Sequence, residues 1–339
     1  MDHTMLLLIP LLVFGVVSAF AFAGCAAFTA APAPPEAQPP PAPPPGPPGP
    51  GPGPAPGPTP TPTPPDAYPK LILEENTKSL HGYWRFLEPA PVLAGVTKAK
   101  DSRTTAPQNS GTYQGGVTAG ADGALRQGSD PADVAAAFNG TDAFVEFAYT
   151  PFLNPAADFT IEAWIRPEPL TPGASGVIVG SYTETPVKWG FVLEVVQVDA
   201  THMNAQVRIG EASTAYKSLS VSLGDGTAIG GWRYVVATYA TQPSPVLSLF
   251  VIAGPSSFND HLPHPGDLDP NYQPVVVTTT SPPMRIGAGW NEPSQTAPGL
   301  FFKGRIDEVA IYDKAMVPDS TDPNVHFTIQ HHYAVGTTK

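Results

Sequence analysis

Of the 339 residues, 45 are proline and 32 glycine, only 14% are charged, and the formal net charge is −12. That acidic balance is spread thinly, with no basic stripe to neutralise phosphates, which argues against a nucleic-acid partner. The length leaves room for one large domain or two small ones with ample core, and the one cysteine, Cys25, excludes an intrachain disulfide and a thiolate zinc cluster.

From Met5 to Ala23 the chain reads "MLLLIPLLVFGVVSAFAFA", almost wholly apolar, long for a signal-peptide core and just long enough to approach a membrane span. It follows "MDHT", without a Lys or Arg to orient it, and ends at "FAGC". This end resembles a bacterial lipoprotein signal, in which a small residue precedes the cysteine that is lipidated and becomes the mature N-terminus. Phe22, where that motif prefers an aliphatic residue, and the missing basic stretch depart from the pattern. The resemblance implies a signal peptide over residues 1–25, lipidation at Cys25 and a lipid-anchored place on the outer cell envelope, with Ala26 unlike an inner-membrane retention signal. A cleaved, secreted form and an uncleaved membrane anchor stay open beside it.

Residues 26–67 form a linker rich in Pro, Ala and Gly, with "PAPPEAQPPPAPPPGPPGPGPGPAPGPTPTPTPP" from Pro32 to Pro65. Such a stretch has too little apolar bulk to fold and is expected to be disordered and extended. At about 3.1 Å per residue it reaches on the order of 100 Å. Its glycines keep no three-residue period, which excludes collagen, and its position between anchor and domain favours a stand-off over a docking motif for a proline-recognising partner.

From Tyr68 to Lys339 the pattern is that of strands. "DFTIEAWIRPE" alternates, with Phe159, Ile161, Ala163 and Ile165 on one face and Thr160, Glu162, Trp164 and Arg166 on the other. "GFVLEVV", "AQVRIG", "WRYVVATYA", "LSLFVIAG", "PVVVTTT" and "MRIGAG" are further short runs divided by Gly, Pro, Asn, Asp and Ser. They predict an all-β, antiparallel β-sandwich over 68–339, with long loops at about 102–135 and 254–274 and a helical turn or two only in "DPNVHFTIQHHYA".

"YPKLILEENTKSLHGYWRFLE", "DSRTTAPQNSGTYQGGVTAGADGAL", "AAFNGTDAFVEF", "FTIEAWIRP", "GGWRYVVATYA", "LSLFVIAG", "MRIGAG", "FFKGRIDEVAIYDKAM" and "IQHHYA" come in that order. Together they resemble LamG-like domains, jelly rolls of the concanavalin A-like lectin and glucanase superfamily. The resemblance implies the fold and leaves the activity open, since the superfamily hosts lectins, glycosidases, adhesion modules and structural proteins.

Regular alternation would put Asp307 and Glu308 on opposite faces of a strand, with Asp307 in the inward row of Val309 and Ile311. There it is expected to anchor a loop or neighbouring strand through backbone N–H groups or Arg305. The resemblance adds another reading, a Ca²⁺ ligand with Asp142, Asn139 and Asp101 from the matching upstream motifs as partners. A glycosidase needs two carboxylates about 5–10 Å apart, hence acids two or four positions apart on a strand. The acids spaced by two, Asp267 and Asp269, stand in the loop "HPGDLDP", so no enzyme is expected, although dispersed residues could still assemble a site. His261, His264, Asp260 and Asp267 could bind a metal, but a solvated loop is the plainer reading. His331 and His332 are expected to cap the C-terminal segment.

A sugar site needs an aromatic platform beside polar groups. Trp164 flanked by Glu162 and Arg166 offers that combination on one sheet face, Trp290 with Asn291 offers it on a turn, and Trp189 is a third candidate. Each indole could equally pack against a neighbour, and Trp84 and Trp232 are assigned to the core. The reading is an exported, lipid-anchored surface protein whose non-catalytic domain binds carbohydrate or a surface protein. A structural or adhesive envelope component is the alternative, and a glycoside hydrolase of the same fold a third.

Overall fold

The computed structural model describes residues 66–75, 78–154, 157–183, 189–210, 216–224, 230–241, 245–254, 257–261, 282–291, 296–316 and 324–338. The chain divides into two units, Met1–Thr59 and Pro60–Lys339, and all described residues belong to the second. The signal, Cys25 and nearly all of the linker lie outside them, as do "PVVVTTT", His264, Asp267 and Asp269. Among the described residues no helix is long and apolar enough to cross a membrane.

In chain order the elements are α1 (Ala67–Glu75), β1 (Leu80–Trp84), β2 (Lys98–Ala99), β3 (Gly111–Gln114), β4 (Thr118–Asp122), β5 (Val134–Asn139), β6 (Phe144–Phe147), a 3₁₀ turn (Pro151–Leu153), β7 (Phe159–Pro167), β8 (Ser175–Thr183), β9 (Trp189–Gln197), β10 (Met203–Gly210), β11 (Tyr216–Ser222), β12 (Arg233–Ala240), β13 (Val246–Gly254), β14 (Ser257–His261), β15 (Met284–Ile286), β16 (Gly289–Trp290), β17 (Pro298–Gly299), β18 (Lys303–Tyr312) and α2 (Asn324–Thr337). They build two antiparallel sheets of eight strands each. The first runs β14-β13-β12-β7-β18-β5-β4, with β1 added along the C-terminal half of β18, and the second runs β11-β10-β9-β8-β15-β6-β3-β2.

Between the sheets lies a core to which β7 contributes Phe159, Ile161, Ala163 and Ile165, the row that the alternation marks. The opposite face of the first sheet is also covered. Tyr68 and Ile72 of α1, Ile329 of α2 and Leu125 pack with Trp164, Tyr234, Val236, Phe250, Ala310 and Tyr312 into a second apolar layer. β7 is therefore buried on both faces, and a half-exposed strand is not what forms. Nine-residue α1 is too short to persist alone and depends on this packing. Its Pro69 sits in the first turn, where no intrahelical N–H bond is lost.

Two expectations about the connections are corrected. The stretch at 102–135 holds β3, β4 and the start of β5, in which small residues such as those of "TAGAD" mask the alternation, and 257–261 pairs with β13 as β14. The C-terminal helix runs to fourteen residues. Its Gly336 lies so close to Trp164, Leu125 and Tyr68 that a Cβ would stand 2.9 Å from the indole, so a side chain there would hold the helix off the sheet.

Trp84 is the core residue expected, fully buried, its indole N–H donating to the Asn109 carbonyl at 2.8 Å and its ring edge-on to Phe147. The same ring lies over Gly82, and a methyl group there would overlap it. Gly82→Ala is expected to cost about 1–3 kcal/mol, as overpacking of a filled core does, read as a lower urea midpoint with an unchanged slope.

The feature that most affects the site is a bulge in β18. Asp307 faces Trp164 and Ala310 faces Glu162, so two residues on β18 occupy the span of Ala163 alone on β7. Glu308 takes up the extra position with φ +49°, the left-handed conformation that such bulges use. Ile306, Val309 and Ile311 still point into the inter-sheet core, while Ala310 and Tyr312 point outward. The bulge places Asp307 and Glu308 together on the outer face, so the expectation that they oppose one another, with Asp307 in the inward row, is overturned by one inserted residue.

Candidate functional site

At one end of the outer layer a cavity of about 720 Å³ opens between β7, the 122–128 segment, the turn before β12 and the end of α2. Its walls include Asp122, Arg126, Trp164, Arg166, Trp232 and Tyr333. Tyr333 stacks on Trp164 with centroids 5.5 Å apart and planes at 17°, and Tyr234 packs against the same indole at 5.1 Å. Trp164 is only 2% exposed, so it forms the floor and the more accessible Tyr333 and Trp232 form the rings at the opening. Trp232 is thus half-buried at the groove and not a core residue, because the turn before β12 carries it to the rim of the outer layer. Arg166 reaches the groove from the end of β7, with its Nε–H bonded to the Gly230 carbonyl. Arg126 is ion-paired with Asp122.

Behind this groove Glu162, expected beside Trp164, is fully buried. Its carboxylate accepts from the hydroxyls of Tyr312, at 2.7 Å, and Tyr234, and stands 2.9 Å from Nδ1 of His332. His332 is therefore not a cap. One turn of α2 puts it on the sheet-facing side with Ile329, and it ties the helix to β7.

The bulge residues join a third set. Asp133, Asp307 and Glu308 bring one carboxylate oxygen each within 4.8 Å of one another, and all three side chains are buried. Arg85, just past β1, donates from Nε to Glu308 Oε1 at 2.9 Å and from Nη2 to Asp130 Oδ2 at 2.8 Å, and lies 3.9 Å from Asp133. The Tyr83 hydroxyl donates to Glu308. Backbone N–H groups of Ala124 and Leu125 donate to Asp307 and Asp133 at 2.9 and 2.8 Å. Burial pushes the Glu308 carboxyl up to about 8 against the pull of Arg85. It also raises Asp307, helped by the charges of Asp133 and Glu308, and Asp133.

Among the described residues these three are the grouping of acids and histidines that could surround an ion. The four residues expected to do so do not converge. Asp101 grips the Arg103 guanidinium and accepts from the backbone N–H of Asn109, while Asn139 and Asp142 close an exposed turn, the Asn139 amide donating to Asp142 at 2.7 Å. Short-range side-chain-to-backbone bonding explains both positions.

Trp290 and Asn291 lie elsewhere, beside the second sheet. The Trp290 indole donates to the Tyr182 carbonyl at 2.8 Å and carries the Arg285 guanidinium 4.1 Å above its ring, and Asn291 bonds to Thr296 and to the N–H of Ala297. Trp189 opens β9 in that same sheet. Of the expected platform residues, Trp164 and Arg166 are brought together at the groove. Asp130, Asp133, Arg85, Arg126 and Tyr333 were missed. The signals available were an arginine inside the aromatic run "YWRFLE" and the paired acids of "SDPADV".

No family model matches the sequence, and no curated protein matches it. Among solved structures, the chain is similar to the binding domain of botulinum neurotoxin serotype D/C, at 11% identity and TM-score 0.45 over 74% of this chain and 51% of that one. It is similar to the binding domain of botulinum neurotoxin DC in complex with rat synaptotagmin II, at 12% and 0.45 over 75% and 52%, and to the receptor-binding domain of botulinum neurotoxin type G, at 10% and 0.45 over 75% and 51%. The chain spans about half the length of each of these structures.

Proposed function

We propose that this is an exported surface protein, lipidated at Cys25, whose LamG-like jelly roll of residues 68–339 is held off the envelope by the 26–67 linker and binds a glycan without chemistry. The observation that carries the binding reading is the groove, where Tyr333 and Trp232 stand at an opening lined by Arg166, Arg126 and Asp122. Rings that stack on the apolar face of a sugar and side chains that bond its hydroxyls are what saccharide recognition requires. Among the described residues, the carboxylates at and behind the groove fit the same reading: Glu162, Asp133, Asp307 and Glu308 are buried beneath the outer layer, and Asp122, at the groove, is ion-paired with Arg126.

The test is retention of the full chain, kept in mild detergent, on a panel of immobilised polysaccharides, with calcium and with chelator. One glycan class is expected to hold it. Trp232→Ala is expected to weaken that binding about tenfold or more, or about 1.4 kcal/mol, with an unchanged near-ultraviolet circular dichroism spectrum. Retention by no glycan, or full affinity in the variant, would overturn the reading.

A further inference from the structure

The arginines of this domain are mostly matched to acids. Arg85 meets Glu308 and Asp130, Arg103 meets Asp101, Arg126 meets Asp122, Arg208 meets Glu194 and Arg285 meets Glu146. Arg166 is different. Its one side-chain bond is from Nε to the Gly230 carbonyl, which fixes the root of the guanidinium and leaves the outer Nη groups without a carboxylate among the described residues. They stand at the wall of the groove. Among the described residues, the groove lining thus carries two guanidiniums against the single carboxylate of Asp122, in a chain whose formal net charge is −12. Next to it, Arg305 spends an Nη1–H on the backbone carbonyl of Asp122, at 3.3 Å.

A planar guanidinium with two free Nη groups presents parallel donors that match the two oxygens of a carboxylate. Here those donors share a wall with the rings of Tyr333 and Trp232. One ligand satisfies both halves of the site: a sugar ring for the aromatic surfaces and a carboxylate on that ring for the fork. We propose that the groove selects an acidic saccharide, a uronate or sialate type of residue, with its carboxylate on Arg166 and its ring against Tyr333 and Trp232. The inference rests on the groove being the glycan site and adds the charge of the ligand. An acidic chain repels polyanions elsewhere on its surface, so an affinity for acidic glycans would have to come from a local site of this kind.

The test uses calorimetric titration of the full chain with oligogalacturonate, hyaluronan oligosaccharides and sialyllactose, each beside its carboxyl-reduced form. At least one acidic probe is expected to bind tenfold or more tightly than its reduced counterpart. Arg166→Gln is expected to weaken the acidic probe at least tenfold more than its reduced form, with an unchanged near-ultraviolet circular dichroism spectrum reporting that the variant is folded, and Arg166→Lys to retain part of the preference. Equal binding of both forms, or a preference that survives Arg166→Gln, would overturn the assignment of charge and leave the groove as a neutral-sugar site. Failure of both forms of every probe would overturn the groove reading as well.

Discussion

Replacing Arg85 by methionine is expected to destabilise the domain by about 3–5 kcal/mol at pH 8, the cost of stranding buried charge when one partner of an ion pair is removed. Arg85 is the cation among Asp130, Asp133, Asp307 and Glu308, and its side chain is 12% exposed. Methionine fills the space of the stem and supplies no donor. The carboxylates can then escape only by taking up protons, which is cheaper in acid, so the same variant is expected to lose less at pH 5. Urea unfolding at the two pH values measures both. An equal loss at each would mean that Arg85 contributes packing and not charge compensation.

The second large effect is the pH dependence of the unmodified domain. Burial raises the Glu308 carboxyl from 4.5 to about 8. The folded state therefore holds a proton that the unfolded state releases, and the stabilisation is complete below about 4.5 and lost as pH rises through about 8. Asp307 and Asp133 are displaced in the same direction by the same cause. The groups around Glu308 are Arg85 and Tyr83 beside and on β1, Asp133 ahead of β5, and Tyr68 on α1. Of these, Arg85 and the hydrogen bond from Tyr83 oppose the rise and the charge of Asp133 adds to it, and burial outweighs them. Stability is expected to fall from pH 5.5 to about pH 8, by about 1.4 kcal/mol per pH unit for each proton held, whereas salt-bridged carboxylates, ionised in both states over that range, leave stability flat there. Glu308→Gln keeps the shape, loses one titration and is expected to make the fall with pH shallower by that one proton. A stability that stays level or rises over that range would mean that the cluster holds no proton in the folded state.

The inter-sheet core was legible because its signal is local. In β7 the row of Phe159, Ile161, Ala163 and Ile165 follows from a period of two, and similar runs mark most strands of both sheets. The outer layer was less legible, because its partners are far apart in sequence. Tyr68, Trp164, Tyr234, Tyr312 and Ile329 meet only once α1 and α2 have docked, and nothing in "AYPKLILEE" says which sheet face it will cover. The bulge at Glu308 was not legible at all. One residue in a left-handed conformation leaves no mark on composition, yet it reverses the facing of Asp307 and converts two apparently opposed acids into a pair. At the groove, Trp164 and Arg166 could be named from their shared face, whereas Tyr333, Trp232 and Arg126 arrive from a helix end and two loops.

The groove beside Trp164, and not the Trp290 platform at the second sheet, is proposed to hold the ligand. The direct measurement is the affinity of the full chain for its retained glycan in the unmodified protein and in Trp232→Ala, Arg166→Gln and Trp290→Ala. A loss of tenfold or more is expected in each of the first two and little change in the third. A ligand that survives both groove substitutions and is lost with Trp290 would contradict this placement and move the site to the other face of the sandwich.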